Sequence, residues 1–113
     1  MQQDFSQHSL INWSGCLQMA NGNLEFANEL LTMFFTSLPE EQQIFCHAYE
    51  ANDYLALKNA AHRMRGALAY CVMPAVDNTL KVLEHAIVNQ DQVAIDAAYA
   101  VFSAQIEQLL QPG

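Results

Sequence analysis

Apolar residues recur every three or four positions along almost the whole chain, and this helical period constrains the fold more than any other feature. No stretch alternates apolar and polar residues as a half-buried strand does, and no segment is repeated or of low complexity. The chain has 113 residues, 52% of them hydrophobic, which suits one domain with its own core. We therefore predict an all-α fold in a single domain over residues 1–113.

Turn and capping residues divide this pattern into helices. A short opening helix in "INWSGCLQMA" ends at "NGN", and residues 1–10 before it are predicted to be a frayed lead-in. Asn23 can cap a helix from 24 to about 37, and Pro39, followed by two glutamates, can begin another that ends near 51. Three more helices are predicted: Tyr54 to about Cys71 with Asn52 or Asp53 as its cap, one from Pro74, and one from Asp91.

The short connections between these helices favour antiparallel neighbours. We predict an antiparallel up-down four-helix bundle with one or two additional short N-terminal helices. The predicted core positions are Ala27, Leu30, Leu31, Phe34, Leu38, Ile44, Phe45, Ala48, Val76, Leu80, Leu83, Ile87, Ile95, Tyr99, Phe102, Ile106 and Leu109.

Charge and cysteine content exclude several classes of protein. The net charge of −8 argues against nucleic acid or an anionic membrane surface as a partner. No apolar run approaches the roughly 18 residues of a membrane-spanning helix, and the first twenty residues lack Lys and Arg, unlike a secretory signal. Cys16, Cys46 and Cys71 are widely spaced with no CxxC, which favours buried thiols over a disulfide framework or a zinc site. A cytoplasmic location without direct membrane contact follows as an expectation.

The positive charges are confined to one segment. All four cations lie between positions 58 and 81, where Asp77 is the single acid, so this segment carries a local charge of +3 on an acidic chain. His62 lies inside this basic segment. The four cations are Lys58, Arg63, Arg65 and Lys81.

A helical wheel for the segment at about 100° per residue places His62 roughly 120° from the centre of the apolar stripe, facing solvent. One turn away on either side are Lys58 and Gly66, with Arg65 and Ala69 beside them. The apolar stripe, predicted to face the core, consists of Leu57, Ala61, Met64, Leu68 and Val72.

An exposed imidazole among cations suits phosphoryl transfer. A neutral imidazole, with an ordinary pKa of about 6.5, is a competent nucleophile near pH 7. Cations near His62 would favour the negative charge of a phosphoryl group and disfavour the imidazolium form, while Gly66 leaves the ring open to a partner. From the residues alone, an ordinary exposed histidine on a charged helix is the slightly favoured interpretation.

The other histidines give no sign of a metal site. His8 falls in the lead-in, and His47 and His85 stand alone on their predicted helices. The sequence contains no HxxxH or ExxH pair, so we predict no metal or cofactor on this chain. The absence of Glu-x-x-His pairs also argues against a ferritin-like metal-binding bundle.

The stretch "NDYLALKNAAHRMRGALAYCVMPAVDNTLKVLEHA" resembles a histidine phosphotransfer (HPt) domain. The family motif is a histidine, any residue, an apolar residue, a basic residue and a glycine, matched by His62, Met64, Arg65 and Gly66. The apolar helix downstream ends in a Leu-Glu pair, matched by Leu83 and Glu84. The tract "AYCVMP", with Tyr70 and Pro74, is similar to HPt domains that end tripartite hybrid sensor kinases of the global-activator type, and Trp13 fits the short first helix.

The resemblance extends over about residues 10 to 110 and has two departures. Arg65 stands where lysine is common, which keeps the charge but changes the hydrogen-bonding geometry. Val72 stands where the family usually has glycine, which suits a helix exit, so the geometry of the junction to Pro74 is in doubt.

The resemblance implies a phosphorelay intermediate rather than an autonomous kinase. His62 would accept a phosphoryl group from the aspartate of one receiver domain and pass it to another. Arg65 and Lys58 would supply positive charge to the phosphoryl group, and Gly66 and Ala69 would leave room for the receiver. Glu84 would have a structural or indirect role.

The implied partners are response-regulator receiver domains, which would bring Mg²⁺. The chain would act as a monomer, either free or covalently linked to a hybrid sensor kinase and then at the cytoplasmic end of a membrane-bound protein. The alternative function is a module that docks receivers without transferring phosphate.

Overall fold

The computed structural model describes residues 5–111, which form a 3₁₀ turn and five α-helices and contain no strand. The elements are the 3₁₀ turn Phe5–Gln7, α1 (Trp13–Met19), α2 (Leu24–Glu50), α3 (Tyr54–Leu68), α4 (Pro74–Val88) and α5 (Gln92–Leu110).

The four long helices form the predicted antiparallel bundle. Contacts run from α2 to α3, α3 to α4, α4 to α5 and α5 back to α2, which closes a ring of helices joined by short turns. The 3₁₀ turn and α1 are the two short N-terminal elements. Within the described chain the fold is therefore all-α as predicted, whereas the single-domain boundary over 1–113 stays a prediction. The largest fully buried core residues are Leu31, Leu38, Phe45, Leu57, Met73, Leu80, Leu83, Ile95, Phe102 and Ile106.

Side-chain caps begin the helices where the sequence indicated. The Oδ1 atom of Asn23 accepts a hydrogen bond from the Phe26 N–H at 3.0 Å, and Asp53, rather than Asn52, caps α3. Asp91 caps α5 in the same way. Asn52 instead takes a left-handed backbone conformation (φ 54°), which asparagine tolerates better than most residues and which reverses the chain into α3.

The predicted break near Pro39 is wrong, because α2 continues through it as one helix of 27 residues. At 1.5 Å per residue such a helix is about 40 Å long, close to the 41 Å length of the molecule. Pro39 lies on the exposed side, and the buried stripe keeps its three-and-four spacing on both sides of it. Burying both halves on one core outweighs the roughly 3 kcal/mol that proline costs inside a helix. Ile44, predicted to face the core, lies beside this stripe and is exposed.

The end of α3 also differs from its prediction. The helix ends at Leu68 instead of near Cys71, so Val72 lies in the connection to α4 and is half-buried rather than part of the core stripe. Its carbonyl accepts a hydrogen bond from the Asn12 N–H at 2.8 Å, and its N–H donates to the Cys16 Sγ at 3.2 Å. Val72 is not among the residues with positive φ, so the junction does not require glycine at this position.

A glycine on the other side of this junction allows a close approach. A Cβ atom placed on Gly15 of α1 would lie 3.1 Å from a Val72 methyl carbon, tighter than an ordinary carbon–carbon contact. Gly15 therefore lets α1 pack closely against the connection between α3 and α4.

The lead-in predicted to be frayed over 1–10 is packed in its described part. Phe5 is buried, and its ring stacks on Phe35 of α2 with 5.3 Å between ring centroids. The Nδ1 atom of His8 accepts a hydrogen bond from the Leu10 N–H at 3.2 Å. Residues 1–4 lie outside the described residues. An aromatic anchor thus holds this segment on the bundle.

The three cysteines are free thiols, two of them buried as predicted. Cys46 is only half-buried, because it lies on the side of α2 that faces α5 near the surface, beside Tyr99. Burial raises the pKa of Cys71 to about 11, which keeps this thiol protonated. Among residues 5–111, no helix is both long enough and apolar enough to cross a membrane.

Candidate functional site

His62 projects from the middle of α3 into solvent. The opposite face of α3 is packed into the core, which leaves 80% of the His62 side chain exposed. This is the orientation that the helical period predicted. The residues buried on the opposite face are Leu57, Ala60, Ala61, Met64 and Leu68.

The surface of α3 one turn beyond His62 carries only very small side chains. Gly66 is exposed, and a Cβ atom added there would meet no heavy atom within 4 Å. Its φ angle is not in the left-handed region, so neither packing nor backbone conformation requires glycine. Ala69, one turn further on, is the exposed C-cap residue of α3. The imidazole therefore stands above a strip with almost no side chains.

A carboxylate of the neighbouring helix lies beside the imidazole. The Glu84 Oε1 atom is 3.5 Å from the His62 Nδ1 atom, and the Glu84 side chain is only 14% exposed. Of the two neutral tautomers of the ring, a negative charge at this distance favours the one that carries its proton on Nδ1. The lone pair of a neutral ring then lies on Nε2, the nitrogen on the other side of the ring.

The guanidinium of Arg65 is held by two carboxylates of α4. Its Nη1 atom lies 2.8 Å from the Glu84 Oε2 atom, and its Nε atom lies 3.1 Å from the Asp77 Oδ1 atom. Asp77 and Glu84 are seven residues apart, so Arg65 bridges two turns of α4. The hydrogen bond to Glu84 is the main reason why the pKa of Arg65 is raised above its ordinary value.

The remaining cations are mostly paired as well. Arg63 reaches Glu41 of α2 at 2.8 Å, and Lys81 lies 3.4 Å from the Asp77 Oδ2 atom on its own helix. Lys58, half-buried one turn before His62, is the cation that has no ion pair within residues 5–111.

The basic spot expected around His62 from the local charge of +3 is largely neutralised in the fold by acids of other segments. Glu41 and Glu84 lie outside the segment 58–81 in sequence, but the bundle brings both of them against α3. Asp77, the single acid within the segment, also forms ion pairs with both Arg65 and Lys81. The local charge counted along the sequence missed these cross-helix partners.

Asp77 belongs to this site through its contact with Arg65, although it was not among the site residues predicted from the sequence. The signal was available in part, since two acids seven residues apart fall on one helix face. Whether this face lies opposite Arg65 depends on the register in which α3 packs on α4. That register cannot be predicted from the local sequence pattern.

No other cluster in the described chain competes with this site. His47 and His85 are exposed on α2 and α4. Within residues 5–111, no group of three or more His, Cys, Asp or Glu side chains is arranged to hold a metal ion.

Comparison with known proteins gives consistent matches. The family model for the Hpt domain matches residues 29–112. The Sensor histidine kinase GacS of Pseudomonas protegens is 31% identical over 81 residues, which are 72% of this chain and 9% of that protein. The chain thus spans a small fraction of the length of this relative.

The fold is also similar to a solved structure. The HPT domain from the Hpt Sensor Hybrid Histidine Kinase from Shewanella superposes with a TM-score of 0.68 at 27% sequence identity. The superposition covers 89% of this chain and 93% of that one. The two chains therefore share the helical fold over most of their length.

Proposed function

The chain belongs to the Hpt domain family, the phosphotransfer modules of two-component phosphorelays, and we propose that His62 is the residue that carries its phosphoryl group. Hpt domains are phosphotransfer carriers rather than kinases, and they interact with receiver domains of response regulators and hybrid kinases. The observation that carries the proposal is the exposed His62 ring with the Glu84 carboxylate 3.5 Å from its Nδ1 atom.

The proposed reaction begins at the Nε2 atom of His62. Its lone pair attacks the phosphorus of an aspartyl phosphate on a receiver domain. The N–P bond forms as the P–O bond to the aspartate breaks, and the aspartate carboxylate leaves with the electron pair. Transfer to a second receiver is the reverse reaction with a different aspartate.

Glu84 is suited to stabilise the ring during this step. Once Nε2 has bonded to phosphorus while Nδ1 keeps its proton, the ring carries a positive charge. The Glu84 carboxylate, largely shielded from solvent, lies where this charge develops. Because the carboxylate is in place before the reaction, it stabilises the charge without reorganising.

The groups around His62 have separate proposed roles. Lys58 supplies charge to the phosphoryl group, since no carboxylate of the described chain pairs with it. Arg65 acts mainly through its ion pair with Glu84, which keeps that carboxylate beside the ring. Gly66 and Ala69 leave room for the receiver to bring its aspartate in line with Nε2.

The partners follow from this chemistry. We place one receiver upstream and one downstream of His62, each with its own Mg²⁺, and we assign no cofactor to this chain. The chain acts as a monomer in the cytoplasm, either free or as part of a longer sensor kinase like its relatives. Its net charge of −8 disfavours nucleic acid and anionic membranes.

The test is transfer from a phosphorylated receiver. Receiver domains from the source organism are loaded with acetyl phosphate in the presence of Mg²⁺, freed of the donor and mixed with this chain. The expected product is a phosphate on the chain that is acid-labile, base-stable and removable by a second, unphosphorylated receiver. A receiver that binds the chain but never transfers phosphate would contradict the proposal and indicate a docking module.

A further inference from the structure

We propose that Asp77 is a positioning residue for His62, acting through Arg65 and Glu84. This inference rests on the proposed function, in which the Nδ1 side of the ring faces a fixed carboxylate. Asp77 itself is not placed in contact with the imidazole. It determines where the Glu84 carboxylate is held.

The contacts form one continuous chain from α4 to α3 and back. Asp77 Oδ1 holds Arg65 Nε at 3.1 Å, Arg65 Nη1 holds Glu84 Oε2 at 2.8 Å, and Glu84 Oε1 faces His62 Nδ1 at 3.5 Å. Each oxygen of Glu84 therefore has a different partner. A rotation of this carboxylate away from Arg65 would also move it away from the ring.

Two anchor points fix the plane of the Arg65 guanidinium. A planar fork bound at both Nε and Nη1 cannot turn about its long side chain, whereas a fork bound at Nη1 alone can. Asp77 supplies the Nε anchor, and its other oxygen is held by Lys81 at 3.4 Å. Arg65 and Asp77 are each 30% exposed, so solvent screens the network only in part.

Asp77 also has an effect on stability that the test must separate. It lies in the first turn of α4, where an acidic side chain interacts favourably with the helix dipole. Replacement of Asp77 therefore lowers the stability of the chain even if Asp77 has no effect on the position of Glu84. The readout must therefore report on the His62 ring itself.

The experiment measures the tautomer of His62 by long-range ¹H–¹⁵N NMR of the unphosphorylated chain at alkaline pH, together with the transfer rate. The variant is Asp77→Asn. The matched control is Glu41→Gln. Glu41 of α2 pairs with Arg63 of α3, so this variant also removes an acid paired with an arginine of α3, but Glu41 does not contact Asp77, Arg65 or Glu84.

The expected result is a smaller Nδ1–H fraction in Asp77→Asn than in wild type, with no change in Glu41→Gln. The transfer rate of Asp77→Asn should fall about two- to fivefold. This is the ratio that corresponds to the free energy of one partly exposed ion pair. An unchanged tautomer fraction in a folded Asp77→Asn chain would overturn the inference.

Failure of this inference is distinguishable from failure of the proposed function. If His62 still takes up phosphate while Asp77→Asn changes neither tautomer nor rate, Asp77 has only a structural role and the phosphotransfer function stands. If wild-type His62 takes up no phosphate, the proposed function fails, and the role of Asp77 in that reaction fails with it.

Discussion

Arg65 and Glu84 form a 2.8 Å ion pair between α3 and α4, and the other Glu84 oxygen faces His62. The basic residue of the Hpt motif is thereby turned toward a carboxylate of its own chain. Its charge is less available to an incoming phosphoryl group than the sequence suggested. The roles of Arg65 and Lys58 can therefore be separated experimentally.

Replacement of Arg65 should slow phosphotransfer by releasing Glu84. Arg65→Ala removes both contacts to α4, and Arg65→Lys should restore only part of the rate, because one ammonium cannot hold two carboxylates that are two turns apart. Transfer rates from a phosphorylated receiver measure both variants. Full recovery by Arg65→Lys would contradict this, since it would mean that charge alone matters.

Replacement of Lys58 should weaken transfer in a salt-dependent way. Lys58 is unpaired in the described chain, so Lys58→Ala removes an available charge, whereas the control Arg63→Ala removes one that is already paired with Glu41. If Lys58 guides the receiver from a distance, its effect should shrink at high salt, because the Debye length falls from about 10 Å at 0.1 M to about 3 Å at 1 M. Equal rates for Lys58→Ala, Arg63→Ala and wild type at low salt would contradict the assigned role.

Replacement of Gly66 should separate stability from function. Gly66→Ala should stabilise the chain by up to roughly 1 kcal/mol, because alanine is the better helix former and its Cβ meets no neighbour. Gly66→Gln should fold normally but obstruct the receiver. Urea unfolding and transfer rates measure the two effects.

The control for Gly66→Gln is Ala67→Gln, which adds the same exposed side chain one residue further along, on a different side of α3 from His62. Transfer by Gly66→Gln at the rate of this control would refute the argument from clearance. Unfolding of Gly66→Ala would show that the fold itself requires glycine.

Replacement of Pro39 should stabilise α2. The ring lies on the exposed side of a continuous helix, so Pro39→Ala restores a backbone hydrogen-bond donor without disturbing the core. We expect a gain of up to about 3 kcal/mol in the free energy of unfolding, with transfer unaffected. A loss of stability would indicate that the bundle depends on a bend at this position.

The difference between Pro39 and His62 shows how far the sequence could predict this structure. The exposure of His62 follows from the period of one helix, which the sequence contains in full. Proline is a local signal for a helix start, and tertiary packing overrode it where the apolar stripe continued on both sides. The pairing of Arg65 with Glu84 depends on the register between two helices, and no local pattern specifies that register.

Phosphorylation of His62 is the central claim, and a comparison of His62→Gln with wild type tests it most directly. The matched control is His85→Gln, at an exposed histidine of α4. Since His62 faces solvent, its replacement should change stability by less than about 0.5 kcal/mol. We expect a phosphorylated receiver to transfer phosphate to wild type and His85→Gln and not to His62→Gln. Transfer to His62→Gln at the wild-type level would contradict the account.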